Sequence, residues 1–177
     1  MKRTRLKRKK GLPRGKPGQA TRRKGKPKQR ANPSSRAAKK RADKLWREVI
    51  LKRCGYGCVV CGATGRLEAH HLIRRDAIFY RHNPENGVAL CYQHHTGSSK
   101  ESAHGAPWWF EAWVERARPD QYEWWEKNRY EVITGQKINY EQVCDVLQDI
   151  LDGKLLVTHG GIYTPVGKSA KLLKEQT

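Results

Sequence analysis

The stretch LEAHHLIRR, residues 67–75, sets His70 and His71 side by side in a segment that reads as a short strand. Neighbouring side chains on a strand point to opposite faces, so the two imidazoles serve different surroundings. A second doublet, His94-His95, closes the stretch ENGVALCYQHH (85–95), where a strand around residues 88–90 gives way to a helix starting near Tyr92. Successive helical residues are rotated by about 100°, so this doublet splits in the same way. Between the two lies the loop RHNPENG, with Asn83-Pro84 and Asn86-Gly87 as turn signals.

Metal-type residues crowd this region. Four of the five cysteines and six of the seven histidines lie between residues 54 and 104. Cys58-x-x-Cys61 and Cys91-x-x-His94 are two halves of a tetrahedral zinc set of three thiolates and one imidazole, a closed set of structural type. Gly62 follows the first half, where the turn needs a residue free of Cβ clashes. Cys54 lies one helical turn before Cys58 and competes as a ligand, but the CxxC spacing favours Cys58. Cys144 reads as a packed thiol. With His94 given to zinc, His95 turns elsewhere, and His70 and His95 become candidate ligands of a second metal centre between hairpin and helix.

Outward from this core the chain is lopsided. Lys and Arg fill 19 of the first 41 positions, no acid precedes Asp43, and nearly all of the net charge of +20 sits in that segment. Residues 1–41, rich in Gly and Pro, are expected to be a disordered basic tail that binds nucleic acid by counterion release. A helix is expected over about 35–53, with Ser as its cap, Leu45, Trp46, Val49 and Ile50 at helical spacing, and Gly55 as its stop. Residues 42–105 form the expected metal-bearing core with its leading helix. Residues 106–177 form a helical extension, with helices opening at Pro107 and Asp120 and a third capped by Asn139 and ended by Gly153. In that third helix Val143, Leu147, Ile150 and Leu151 make the apolar stripe; the last twenty residues stay ambiguous. Odd cysteine number and the lack of an export signal or long apolar span point to a soluble cytoplasmic protein without disulfides.

The segments CVVCG, LEAHHLI and ENGVALCYQHH resemble the HNH endonuclease family over roughly residues 54–104. With SAHGAPWWFEAW following, the chain is most similar to the phage proteins that include the NinG-like recombination nucleases. The resemblance implies an α+β fold with a small ββα-metal (His-Me finger) core, a structural zinc and flanking helices. It implies cleavage of DNA phosphodiester bonds, in the host cytoplasm for a phage protein, with branched DNA a plausible substrate. His71 would be the general base, Asn86 would brace the loop that aims it, and His70 and His95 would hold one divalent ion: Mg2+, Mn2+, Ni2+ or Zn2+.

Where some members carry a further histidine four residues past the helix ligand, this chain has Ser99. The third ligand is then His104, Asn86, Glu68 or water, and His104 qualifies only if the helix breaks near Gly97 or soon after. Arg74, Arg75 and Arg81 flank the loop and are candidate phosphate contacts or solvated loop residues. The aromatics at 108, 109, 113, 122, 124, 125 and 130 could stack on bases or form core. The competing functional reading is a non-catalytic zinc-containing nucleic-acid-binding protein, which leaves His70, His71, Asn86 and His95 without a role.

Overall fold

The computed structural model describes residues 33–131, 133, 137–157 and 163–165, with side chains described for all but 33–35 and 163–165. Residues 1–32 of the expected basic tail lie outside the described residues. The described residues all belong to one unit.

Helix α1, Pro33–Arg53, is built from strong helix formers. Lys52 and Arg53 sit in its last turn, where the helix dipole favours cations, and Gly55 follows at φ 64°. Ala38, Ala42, Trp46, Val49 and Ile50 are buried on its inner face. Each large apolar side chain so buried contributes about 1.5–3 kcal/mol, and a charge at Ile50 would undo the docking. The tail boundary expected at residue 41 is corrected: it cuts through α1. Residues 33–41 are helical because Ala38 packs inward, and Arg41 pairs with Glu141 at 2.8 Å.

Strands β1 (Leu67–His71) and β2 (Gly87–Cys91) form an antiparallel pair with His70 opposite Val88 and His71 opposite Gly87. A 3-10 turn, Pro84–Asn86, feeds β2. Asn86-Gly87 is therefore not a turn of its own: Gly87 is extended, at φ −154°. Its missing side chain matters for packing, since a Cβ there would come within 2.6 Å of Trp46 and 2.7 Å of Ile50. The helix expected after Tyr92 is a single wide turn of π type, Gln93–Gly97, ended by Ser98 in extended conformation.

Helices α2 (Pro107–Ala117), α3 (Pro119–Asn128) and α4 (Tyr140–Leu151) follow. Asn139 caps α4 through its side chain, and Gly153 ends it at φ 75°. The segment 106–177 is not helical throughout, because β3 (Leu155–Val157) and β4 (Tyr163–Pro165) pair as a second antiparallel hairpin. Nor is it a separate domain. Phe110, Val114 and Leu147 share one buried core with Val49, Ile50, Val88 and Leu90. A two-stranded hairpin cannot bury its own faces, so helices from both sides of the sequence cover it. The architecture is thus mixed α+β, two small two-stranded sheets among several helices.

Candidate functional site

The CxxC turn and the start of the wide turn bring Cys58, Cys61, Cys91 and His94 together, with one ligand atom from each within 4.8 Å of the others. Cys61 Sγ lies 3.9 Å from Cys91 Sγ, and His94 Nδ1 lies 3.3 Å from Cys91 Sγ and 3.8 Å from Cys58 Sγ. A tetrahedron with Zn–S bonds of ~2.3 Å has edges of about 3.8 Å, so the spacing and donor set suit zinc. Burial disfavours the Cys58 thiolate, but backbone hydrogen bonds from Cys91, Cys61 and Val60 outweigh it and hold its pKa below the ordinary thiol value. Gly62 stands at φ 72°, and its amide donates to the Cys58 carbonyl at 2.7 Å, which closes the turn. Cys54 lies outside this cluster, its sulfur accepting from the Ala89 amide at 3.4 Å. Cys144 is buried on α4, its thiol directed at the Ala38 carbonyl.

A second cluster joins His70, His95 and His104, again within 4.8 Å. The condition set for His104 is met. The chain breaks at Ser98 and returns, so that the Ala103 amide donates to the His94 carbonyl (2.9 Å) and the His104 amide to the His95 carbonyl (3.1 Å). Buried Ser102 pins the excursion by donating to the Ser98 carbonyl and accepting from the Gly105 amide. The imidazole of His70 meets those of His95 and His104 edge-on, at centroid distances of 5.2 and 5.0 Å. Burial, then the neighbouring imidazoles, push its pKa down to about 3, keeping it in the neutral form that a metal requires.

Glu68 lies outside this cluster and orients one of its members, His95. Strand alternation puts it on the same face as His70, and His95 Nδ1 lies 2.6 Å from its carboxylate. A carboxylate can only accept from that nitrogen, so the bare Nε2 is left for an ion. Asn86 is excluded as a ligand as well. Fully buried, its Oδ1 accepts from the Ile73 amide while Nδ2 donates to the carbonyls of Ile73 and Tyr80, both at 3.0 Å. It therefore ties together both limbs of the loop between β1 and β2.

His71 points to the opposite face. Its ring stacks on the Trp46 indole with centroids 3.8 Å apart and planes 14° apart. Trp46 is itself fixed by donating from Nε1 to the Asn83 carbonyl at 2.9 Å. His71 Nε2 lies 2.9 Å from the Arg81 carbonyl, which can only accept, so Nε2 carries the hydrogen and Nδ1 is bare. Burial lowers the pKa of His71 to about 4 against the opposing pull of that carbonyl, and the ring is neutral at pH 7. His71 ends β1, so it packs inward on Trp46 and still lines the cleft.

The three arginines separate. Arg74 is 88% exposed, paired with Asp76 at 3.0 Å, and Arg75 is also exposed; both line the cleft beside the histidines. Arg81 as a phosphate contact is corrected. It is 9% exposed, grips both oxygens of Asp43 at 2.8 and 2.9 Å, and donates to the Arg75 carbonyl at 3.0 Å. His82 adds a bond to the same carboxylate at 2.8 Å. Burial works against the charge on Asp43, and the two partners overcome it, lowering its pKa. Sequence reasoning missed Asp43 and Trp46 as supports of the site; the one available signal was that Asp43 is the first acid in the chain. Of the candidate stacking aromatics, Trp124 is buried, Trp109, Trp113, Tyr122 and Trp125 pack against the core, and Trp108 and Tyr130 are exposed.

His70, His71, His95 and His104 thus line one open cleft of about 710 Å³, walled by Phe110 and Trp125 and rimmed by Arg74 and Arg75. Comparison with protein-family models, curated proteins and solved structures finds no match to this chain. Among the described residues, no helix is long and apolar enough to cross a membrane.

Proposed function

We propose that this protein is a metal-dependent endonuclease of the HNH type, hydrolysing DNA phosphodiester bonds, with a ββα-metal core formed by β1, β2 and the wide turn Gln93–Gly97. The observation that carries the reading is the gathering of four imidazoles in one cleft. Three imidazoles converge on one point, and a fourth, His71, stands beside them with its tautomer fixed and its Nδ1 bare. A non-catalytic zinc module needs only the first cluster and gives no reason for the second.

In this reading His70, His95 and His104 would hold a divalent ion, whose charge would offset that developing on the scissile phosphate and leaving oxygen. A three-imidazole set suits Mn2+, Ni2+ or Zn2+ better than Mg2+, which prefers oxygen donors. His71 Nδ1 takes the proton of the attacking water; Trp46 holds the ring plane and the Arg81 carbonyl holds the far nitrogen. Asn86 positions the loop that supplies this carbonyl, through its bond to the adjoining Tyr80 carbonyl. Arg74 and Arg75 flank the cut phosphate. Zinc held by Cys58, Cys61, Cys91 and His94 would fasten β2 and the turn carrying His95 to the CxxC turn that follows α1.

Affinity for DNA is supported by the basic tail and by Arg36, Lys40 and Lys44, which recur along one exposed side of α1. The test is nicking of supercoiled plasmid by the full chain with Mn2+ or Mg2+, followed by analysis of the ends. The reading expects metal-dependent nicks bearing 5′-phosphate and 3′-hydroxyl. A protein that binds the plasmid and leaves it uncut with every divalent ion supplied would refute it.

A further inference from the structure

A second cleft, of about 760 Å³, opens directly beside the histidine cleft and shares Leu72, Arg74, Asp76 and Trp125 with it. Its walls are aromatic and apolar: Ile78, Phe79, Tyr80, Trp125 and Ile133. Ile78 and Phe79 are 42% and 45% exposed, large apolar side chains on the very loop that runs from His71 to Asn86. They do not dangle there. Asn86 grips the loop at Ile73 and Tyr80, and Arg81 grips it at Arg75, so the exposed pair is held in place between fixed points.

The charged side chains lining this cleft are two cations, Arg74 and Arg129, and two carboxylates, Asp76 and Glu131, and each has a partner. Arg74 pairs with Asp76, Arg129 pairs with Glu111 and Glu126 at 2.6 and 2.5 Å, and Glu131 accepts from the Tyr80 hydroxyl. The Arg129 guanidinium lies 5.2 Å over the Trp125 ring and braces it from its side. Away from Arg74, at the edge the two clefts share, a phosphate gains little from such a surface, whereas an uncharged aromatic plane gains from its walls. The adjoining cleft has the opposite character, with the metal-type cluster and Arg75 at its rim.

We propose that the second cleft receives a nucleobase next to the cut phosphate, unstacked from its neighbours and laid against Phe79, Ile78 and Trp125. The substrate class is then DNA with an unpaired segment at the cut, such as a single strand, flap or junction, because a base within continuous duplex is stacked and paired and would have to be extruded first. The inference rests on the nuclease reading for the position of the phosphate, and on the walls of the cleft for the position of the base.

The test uses full-length His71→Ala protein, Mn2+ and a short single-stranded oligonucleotide carrying 2-aminopurine at successive positions. The expected result is a fluorescence change concentrated at one position, and binding weakened at least about five-fold by the double change Ile78→Ser, Phe79→Ser. Phe79→Tyr should bind as the parent does, and matched thermal melting of all variants excludes a folding effect. Binding of a fully paired duplex should not respond to the double change. An unaltered single-strand affinity, or equal weakening for duplex and single strand, would overturn the inference. If the wild type cuts no DNA while the probe responds as expected, the nuclease reading fails and the base site stands.

Discussion

Asn86→Ala should be among the most damaging single changes in the chain. The side chain is fully buried and serves three backbone groups: the amide and carbonyl of Ile73 and the carbonyl of Tyr80. The Tyr80 carbonyl keeps a second partner, the Asn83 amide at 3.0 Å, so its loss counts least. The Ile73 amide and carbonyl are left buried and unpaired, at about 1–3 kcal/mol each. A total near ~3 kcal/mol follows, equivalent to a fall in Tm of at least about 6 °C. Urea unfolding followed by tryptophan fluorescence at saturating zinc measures it. Asn86→Asp separates hydrogen bonding from size: its carboxylate would still accept from Ile73 but would face two carbonyl oxygens. That variant should be as unstable as the alanine form at pH 7 and should recover as pH falls, because protonation is favoured in the folded state and restores one donor. A loss below about 1 kcal/mol for Asn86→Ala would refute the claim that this residue braces the loop.

Cys91→Ser should lower the zinc content measured by atomic absorption, and should unfold the hairpin, because metal binding and folding are coupled in so small a sheet. Glu68→Gln keeps the size of the side chain and removes its charge; affinity of the histidine cluster for Mn2+, read by calorimetry, should fall by about 10–100-fold. Asp43 governs acid stability. Its folded pKa lies below the ordinary 3.8, so its contribution is complete above that value and is lost as pH falls through the folded pKa. The stability gap between wild type and Asp43→Asn in urea melts should accordingly narrow below about pH 4.

The chain shows its metal-type side chains openly and hides what supports them. Cys58, Cys61, Cys91 and His94 are legible because zinc fixes local spacing, and the helices opening at Pro107 and Tyr140 are legible because Pro at a first turn and Asn at a cap are local signals. His104 was legible only conditionally. Its place depends on a chain break at Ser98 that no proline announces and that hydrogen bonds to Ser102 and the His94 and His95 carbonyls sustain. Arg81 looked like a phosphate ligand because its carboxylate partner, Asp43, lies on another element, as does the Trp46 ring that carries His71. The β3–β4 hairpin has strands of three residues each, too short for a period of two to register.

The central claim is that one cleft holds an ion with three histidines and activates water with a fourth. Its most direct test is to measure Mn2+ binding and plasmid nicking on the same preparation of His71→Ala protein. The account predicts wild-type affinity for the ion with nicking abolished. Nicking at the wild-type rate, or loss of the ion together with activity, would contradict it.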